Sequence, residues 1–253
     1  MALVLVIVGF LLGGLMSSFA TRMEIRRTQD TDRILSEARD TLLGFAVAHG
    51  RLPCPATANS RGSESFCSSA SGACGAEVFH PPSAAPAHGR CSSPFNGFFP
   101  ASALAFTPID DGGFAVDAWP GAQNRLRYAV TSANNSAFTA SNGMQTLGIN
   151  NLSPDLHVCT SASGIAATNC GTAVSLTVNA VAIVYSVGKN AASGGVGTDE
   201  AANPNPNGGS ADAVFVAHAP SPAGASNGEF DDMLTWLSPG LLYSRMLLAG
   251  KLP

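Results

Sequence analysis

The stretch MALVLVIVGFLLGGLMSSFATRMEIRRTQDTDRILSEARDTLLGFAVAHGRLP, residues 1–53, decides how the rest of the chain is arranged. It opens with a run, residues 2–20, that carries no charge. At about 1.5 Å per residue a helix of that length spans about 28 Å, close to the roughly 30 Å of bilayer hydrocarbon. A cleaved signal peptide fits poorly, because a basic segment should come first and the first basic residue is Arg22. Further on, Ile34, Leu35, Ala38, Leu42, Phe45 and Ala46 recur at spacings of three and four. That is one apolar stripe on a helix. Glu24, Arg27, Asp30, Asp32, Arg33, Glu37, Arg39 and Asp40 take its other faces. Gly50 and Pro53 then end it. Residues 1–49 contain no proline, so they are expected to form one helix about 73 Å long. A break at Ser17-Ser18, or local melting around Gly9, Gly13 and Gly14, is the alternative.

Charged residues make up 12% of the 253-residue chain, against roughly a quarter in an average domain. The net charge of -4 and the scattered basic residues exclude a surface that tracks nucleic-acid phosphates. Cysteines stand at 54, 67, 74, 91, 159 and 170, none in the first fifty residues. An even number in loop-rich sequence reads as disulfides, and so as a body in an oxidising compartment. That sets the basic cluster Arg22, Arg26 and Arg27 outside the cytoplasm, against the usual positive-inside pattern. Six cysteines admit many pairings. Nearness in sequence favours Cys54 with Cys91, Cys67 with Cys74, and Cys159 with Cys170. Zinc is the competing reading, since Cys74, His80, His88 and Cys91 offer two sulfurs and two imidazoles. Their spacing matches no common zinc module.

Residues 51–101 read as an irregular, stapled segment rich in turn residues. A short helix is expected at 101–106. Strands are expected at 125–131, 156–160, 173–188, 212–219 and 230–236, on Val, Ile, Thr and Tyr content. Within the third, residues 181–187 look apolar on both faces, as a central strand does. Residues 189–211 read as a long loop, and a closing helix follows with Pro239 near its start. The fold class is α+β: a long N-terminal helix, with a membrane half and an amphipathic half, packed on an antiparallel sheet head with disulfide-stapled loops. The division is residues 1–49 for the helix, 2–20 of it transmembrane or filament core, and 50–253 for the head.

This order of parts resembles the type IV pilin-like proteins, which include pilins and the pseudopilins of type II secretion. ALVLVIVGFLLGGLM looks like the body of their N-terminal helix. DTLLGFAVAHGRLPCPA, DAWPGAQNRLRYAV, VAIVYSVGKN and GEFDDMLTWLSPGLLYSRMLLAGKLP look like a large, cysteine-containing subgroup. The resemblance implies a single-pass protein of the bacterial inner membrane with its head in the periplasm, and a cell-surface filament after assembly. It implies partners as well: other pilin-like subunits through the N-terminal helix, prepilin peptidase and the assembly machinery. The family has a basic leader ending in glycine, then a phenylalanine and, a few residues on, a glutamate before the apolar run. None of these precedes the run here, so the chain is expected to start at an internal methionine. Along the membrane and assembly helix the residues singled out are Leu3, Val6, Val8, Gly9, Leu12, Gly13 and Met16. Gly9 and Gly13 form a G-x-x-x-G pattern that lets helices approach closely. Helix–head packing is assigned to Ile34, Leu35, Ala38, Leu42 and Phe45.

No catalytic motif stands out: there is no G-x-S-x-G, H-E-x-x-H or phosphate loop. His49, His80, His88, His157 and His218 are scattered, and Asp231-Asp232 reads as a cap or a solvent-facing pair. No cofactor is expected; calcium is the open alternative, on Asp199, Glu200 and Asp212 beside a Gly/Asn-rich loop. The expected function is a structural, non-enzymatic subunit, minor or specialised, of a type IV pilus-like or pseudopilus filament. A membrane-anchored periplasmic hydrolase and an adhesin-like binding domain are the alternatives. The amphipathic half favours the filament, because a plain anchor would pass from its apolar span into a linker.

Overall fold

The computed structural model describes residues 2–121, 124–192, 197–203 and 212–253, with side chains from Thr21 onward. Helix α1, Ala2–His49, is unbroken, through Ser17 and Ser18 included. Gly50 ends it in the left-handed region at φ +71, with its N–H bonded to the Ala46 carbonyl at 2.8 Å. Ile34, Leu35, Ala38, Leu42, Phe45 and Ala46 are buried, and residues 21–26 are exposed. The head therefore grips only the last third or so of the helix.

Among the described residues nine strands follow: β1 (Ser65–Cys67), β2 (Glu77–Phe79), β3 (Gly97–Phe98), β4 (Arg127–Val130), β5 (Leu156–Cys159), β6 (Ser175–Ala180), β7 (Ala182–Ser186), β8 (Val214–Val216) and β9 (Met233–Leu237). β1 and β2 pair beside the first staples. The main sheet is antiparallel in the order β3-β4-β7-β9, and a second sheet runs β6-β5-β8. The molecule is α+β in three layers: α1 on the main sheet, and the second sheet on that sheet's far face. β7 shows why. Ala182 and Val184 join the core under α1 with Leu35, Leu42, Tyr128 and Leu237. Ile183 and Tyr185 alternate to the other side, against Leu156, Val158 and Phe215. The closing helix, Pro239–Leu248, has Pro239 in its first turn and a Ser238 cap, and packs beside α1 through Leu242 and Met246.

Two expectations need correction. The stretch 173–188 is not one strand. It bends at Val181, whose N–H bonds Leu237 O and whose carbonyl accepts from Thr131 N. β6 goes to one sheet and β7 to the other. An unbroken Val/Ile/Thr run carries no local mark of that change. Nor is every pair antiparallel: β5 and β8 run parallel, with Val158 opposite Phe215. β6 is left at an edge, with Val174, Leu176 and Val178 exposed.

The three disulfides are Cys54–Cys91, Cys67–Cys74 and Cys159–Cys170, and no cysteine is free. This overturns the zinc reading, because the Cys74 sulfur is bonded to Cys67 and the Cys91 sulfur to Cys54. Among the described residues no helix is long and apolar enough to cross a membrane. The side chains of residues 1–20, on which that expectation rests, lie outside the described ones.

Two outcomes follow from this packing. Leu42→Asp should place an unpaired charge in the core under α1 and cost about 4 kcal/mol or more; thermal melting of the full chain in detergent reads it, and an unmoved Tm would count against the seam. Alkylating the protein without reduction should add no mass, and a single adduct would reveal a free thiol.

Candidate functional site: the collar where the long helix leaves the head

Three loops close around α1 where it emerges. Thr31, fully buried, accepts the Ala118 N–H at 3.3 Å on its Oγ1. Arg27 lies over the Trp119 ring, 5.9 Å from its centre. Lys189 reaches both Glu24 on the helix, at 3.3 Å, and Glu229, at 3.2 Å. Behind these contacts stands a buried frame. Asp117 accepts Trp119 N at 2.8 Å and Ser186 Oγ at 2.5 Å. The same Ser186 Oγ accepts from Gly188 N at 3.1 Å, and Asn124 Nδ2 donates to Gly188 O at 2.8 Å. Gly188 is needed here: it sits at φ +67, and a Cβ on it would fall 1.9 Å from Asp231 Oδ1. Burial pushes the Asp117 carboxyl up to about 6, against the pull of its hydrogen bonds to Ser186, Trp119 and Asn124.

Glu200, Asp231 and Asp232 bring one carboxylate oxygen each within 4.8 Å of one another next to this frame. Glu200 accepts from Asn190 Nδ2 at 2.9 and 3.0 Å and from Asp231 N at 2.9 Å. Asp231 takes the Lys189 N–H at 3.2 Å. Burial and then the Glu200 charge push its carboxyl up to about 7, with Lys189 opposing. Burial also raises the Asp232 carboxyl well above the ordinary carboxylate range, against the Asn203 bond. Asp231-Asp232 is thus no solvent-facing pair: Asp232 is only 7% exposed, and Asn203 Nδ2 donates to it at 2.8 Å. Asp232, just before β9, turns its carboxylate inward to Asn203, a direction that two adjacent aspartates do not reveal.

The calcium candidates separate. Asp199 forms its own knot, accepting Ala162 N at 2.6 Å, Ser161 Oγ at 3.1 Å and Asn227 Nδ2 at 3.0 Å, with His218 Nε2 at 3.1 Å. Burial pushes Asp199 up, but these bonds outweigh it and hold the carboxyl below the usual range. Asp212 accepts the Val214 N–H at 2.9 Å at the edge of β8. Asn203 closes the same edge, its amide bonding both Val216 N at 2.8 Å and Val216 O at 3.0 Å. Ser161, Asp199 and His218 do not make a nucleophilic triad, because the carboxylate lies between the hydroxyl and the imidazole instead of behind it. The His218 ring stacks on Phe230 at 3.9 Å. His157 lies within β5. His49 stacks on Phe45 and His80 lies edge-on to Phe66.

Of the assigned packing residues, Ile34, Leu35, Ala38 and Leu42 meet in one core cluster, while Phe45 is buried under the Arg51 guanidinium. The side chains of Leu3, Val6, Val8, Gly9, Leu12, Gly13 and Met16 lie outside the described residues. The collar residues Asp117, Asn124 and Lys189 fall inside the quoted stretches DAWPGAQNRLRYAV and VAIVYSVGKN, but no spacing marked them individually. The chain matches no family model, and comparison with curated proteins and with solved structures yields no similar protein.

The collar predicts a pH dependence. Asp231 and Asp117 hold their protons more tightly folded than unfolded, so the stability they supply is full below about pH 4 and falls as pH rises toward 6–7. Asp231→Asn should therefore melt higher than the parent at pH 8, by on the order of 1 kcal/mol after solvent screening. The difference should vanish at pH 4. Parallel profiles for the two proteins would refute the assignment.

Proposed function

We propose that the chain is a structural, non-enzymatic subunit of a type IV pilin-like filament, either a pilus-like fibre or a type II secretion pseudopilus, in a minor or specialised position. The observation that carries this reading is the division of α1. Its last part is buried in the head, while the helix continues without a break to Ala2. From Met23 back to Ala2 it extends about 33 Å beyond the collar. A tether has no need of such rigidity, whereas a helix that must stack on copies of itself does. The collar supports the reading too: Lys189, Ala118 and Trp119 hold Glu24, Thr31 and Arg27 of the helix at its exit, so pull on the helix passes into the head and not into a linker.

In this reading residues 2–20 lie in the bacterial inner membrane before assembly, with the head in the periplasm. In the filament the same uncharged faces are covered by neighbouring helices. The partners are other pilin-like subunits, with prepilin peptidase and an assembly ATPase acting on the way. The three disulfides suit an oxidising compartment.

Cysteines introduced at Val6, Gly9 and Gly13 test this in cells with and without the assembly ATPase. A filament subunit gives ladders of crosslinked multimers that require the ATPase. Monomer alone in both backgrounds, even when a leader and glutamate of the pilin type are placed before the apolar run, would leave an anchored periplasmic domain and end the filament reading.

A further inference from the structure

The segment tied by the first two disulfides faces the turn after β4 across a cleft of about 480 Å³, inside the roughly 300–1,000 Å³ range of ligand sites. Cys67, Cys74 and Cys91 set both bridges into one wall, which makes that wall rigid. The chain carries a net charge of -4, yet the lining holds no carboxylate and no Phe, Tyr or Trp. Asp155, exposed and outside the lining, accepts from Thr131 Oγ1 at 2.6 Å.

The polar groups of the lining have hydrogen-bonding capacity to spare. His88 Nδ1 accepts the Arg90 N–H at 3.0 Å. The neutral ring therefore carries its proton on Nε2, which has no protein partner among the described residues. Arg90 donates from Nη2 to Gly72 O at 2.8 Å and from Nη1 to Ser69 O at 3.4 Å. A guanidinium has about five N–H donors, so most remain. Ser136 is 8% exposed, lines the cleft, and its Oγ makes no hydrogen bond among the described residues. Asn135, exposed at the rim, likewise keeps its amide unbonded. Both sit in a run of three left-handed residues, Asn134 at φ 55, Asn135 at φ 55 and Ser136 at φ 62. Asn134 is pinned there by bonds to Asn151 O at 3.0 Å and from Ser153 N at 2.9 Å. Such backbone persists only where its surroundings hold it.

We propose that this cleft binds a small acidic saccharide, a hexose-sized ring bearing a carboxylate. Arg90 and His88 Nε2–H hold the anion, and Ser136 and Asn135 take ring hydroxyls. Arginine with a carboxylate is a strong, directional pair. The cleft is larger than a bare anion requires, and its remaining groups are hydroxyls and an amide, which match hydroxyls. The lack of an aromatic platform argues against a nucleobase or a neutral sugar held by stacking. The site is independent of the filament reading, since it lies on the head away from α1.

Ligand-observed saturation-transfer NMR tests it, with the full chain in detergent micelles titrated with glucuronate, glucose and sulfate. Glucuronate should bind saturably, with glucose and sulfate about tenfold weaker or more. Asn135→Asp should weaken glucuronate about tenfold by setting a like charge at the rim; aspartate tolerates left-handed backbone, so the fold is kept. Arg90→Gln should do the same, and if it does not fold, Asn135→Asp alone decides. Equal affinity for glucose overturns the role of the anion, and equal affinity for sulfate overturns the saccharide. No saturable binding, or an unaffected Asn135→Asp, overturns the site.

Discussion

Arg51 stands directly after α1 and is 1% exposed, which is a severe demand for a guanidinium. It is met by four hydrogen bonds from the two Nη groups. Nη1 donates to Glu64 Oε1 at 2.6 Å and Leu52 O at 3.1 Å; Nη2 donates to Glu64 Oε2 at 2.8 Å and Pro82 O at 3.0 Å. Glu64, also fully buried, takes the Cys54 N–H at 2.8 Å as well. Phe45 and Phe66 lie against the guanidinium, their ring centres 5.1 and 5.7 Å away. One ion pair thus joins the end of the helix, the first disulfide, the start of β1 and the Pro82 turn. The segment from 51 to 99 has little regular structure of its own, so its course depends on that junction. Tyr128 extends it into the main sheet, with its hydroxyl donating to Pro53 O at 3.1 Å. Burial, and then the nearby Glu64 charge, hold that phenol well above its ordinary range.

How much of this could be read beforehand depends on the range of the interaction. The stripe on α1 is visible because helical contacts repeat every three or four residues. The apolar run around Ile183 is visible as a two-faced strand, since both of its neighbours are apolar layers. Pairing the cysteines by nearness works directly for Cys67–Cys74 and Cys159–Cys170, which are 7 and 11 positions apart, whereas Cys54–Cys91 spans 37. Arg51 and Glu64 are different: they are thirteen positions apart in turn-rich sequence, and only the fold brings them together. The bend at Val181 is equally hidden. It is dictated by bonds to Leu237 and Thr131, far along the chain on either side.

The collar and the junction divide the labour of holding α1. At the head's inner end the ion pair is dry and fixed. At the outer end the clamp is built from Lys189, Glu24 and Glu229 near solvent, where ion pairs are weak and screened by salt. Buried carboxyls with raised proton affinity stand just behind them. The helix is therefore gripped firmly at its tail and more softly where it meets whatever lies beyond the head.

The two edges of the second sheet are unlike each other. Along β8 the outward backbone is answered by side chains, Asp212 for Val214 and the Asn203 amide for both polar groups of Val216. Asn203 stands in for a neighbouring strand and ends the sheet. Along β6 the cover is thinner: Asn179 N makes a long bond of 3.5 Å to Thr177 Oγ1, the edge holds no proline and no charge, and Val174, Leu176 and Val178 lie open beside it. An edge of that kind is a template for another strand. Growth of the sheet is thereby one-sided. If a strand from outside is added to β6, the far side is already stopped, so the sheet can be completed once but cannot run on from copy to copy as a cross-β stack does.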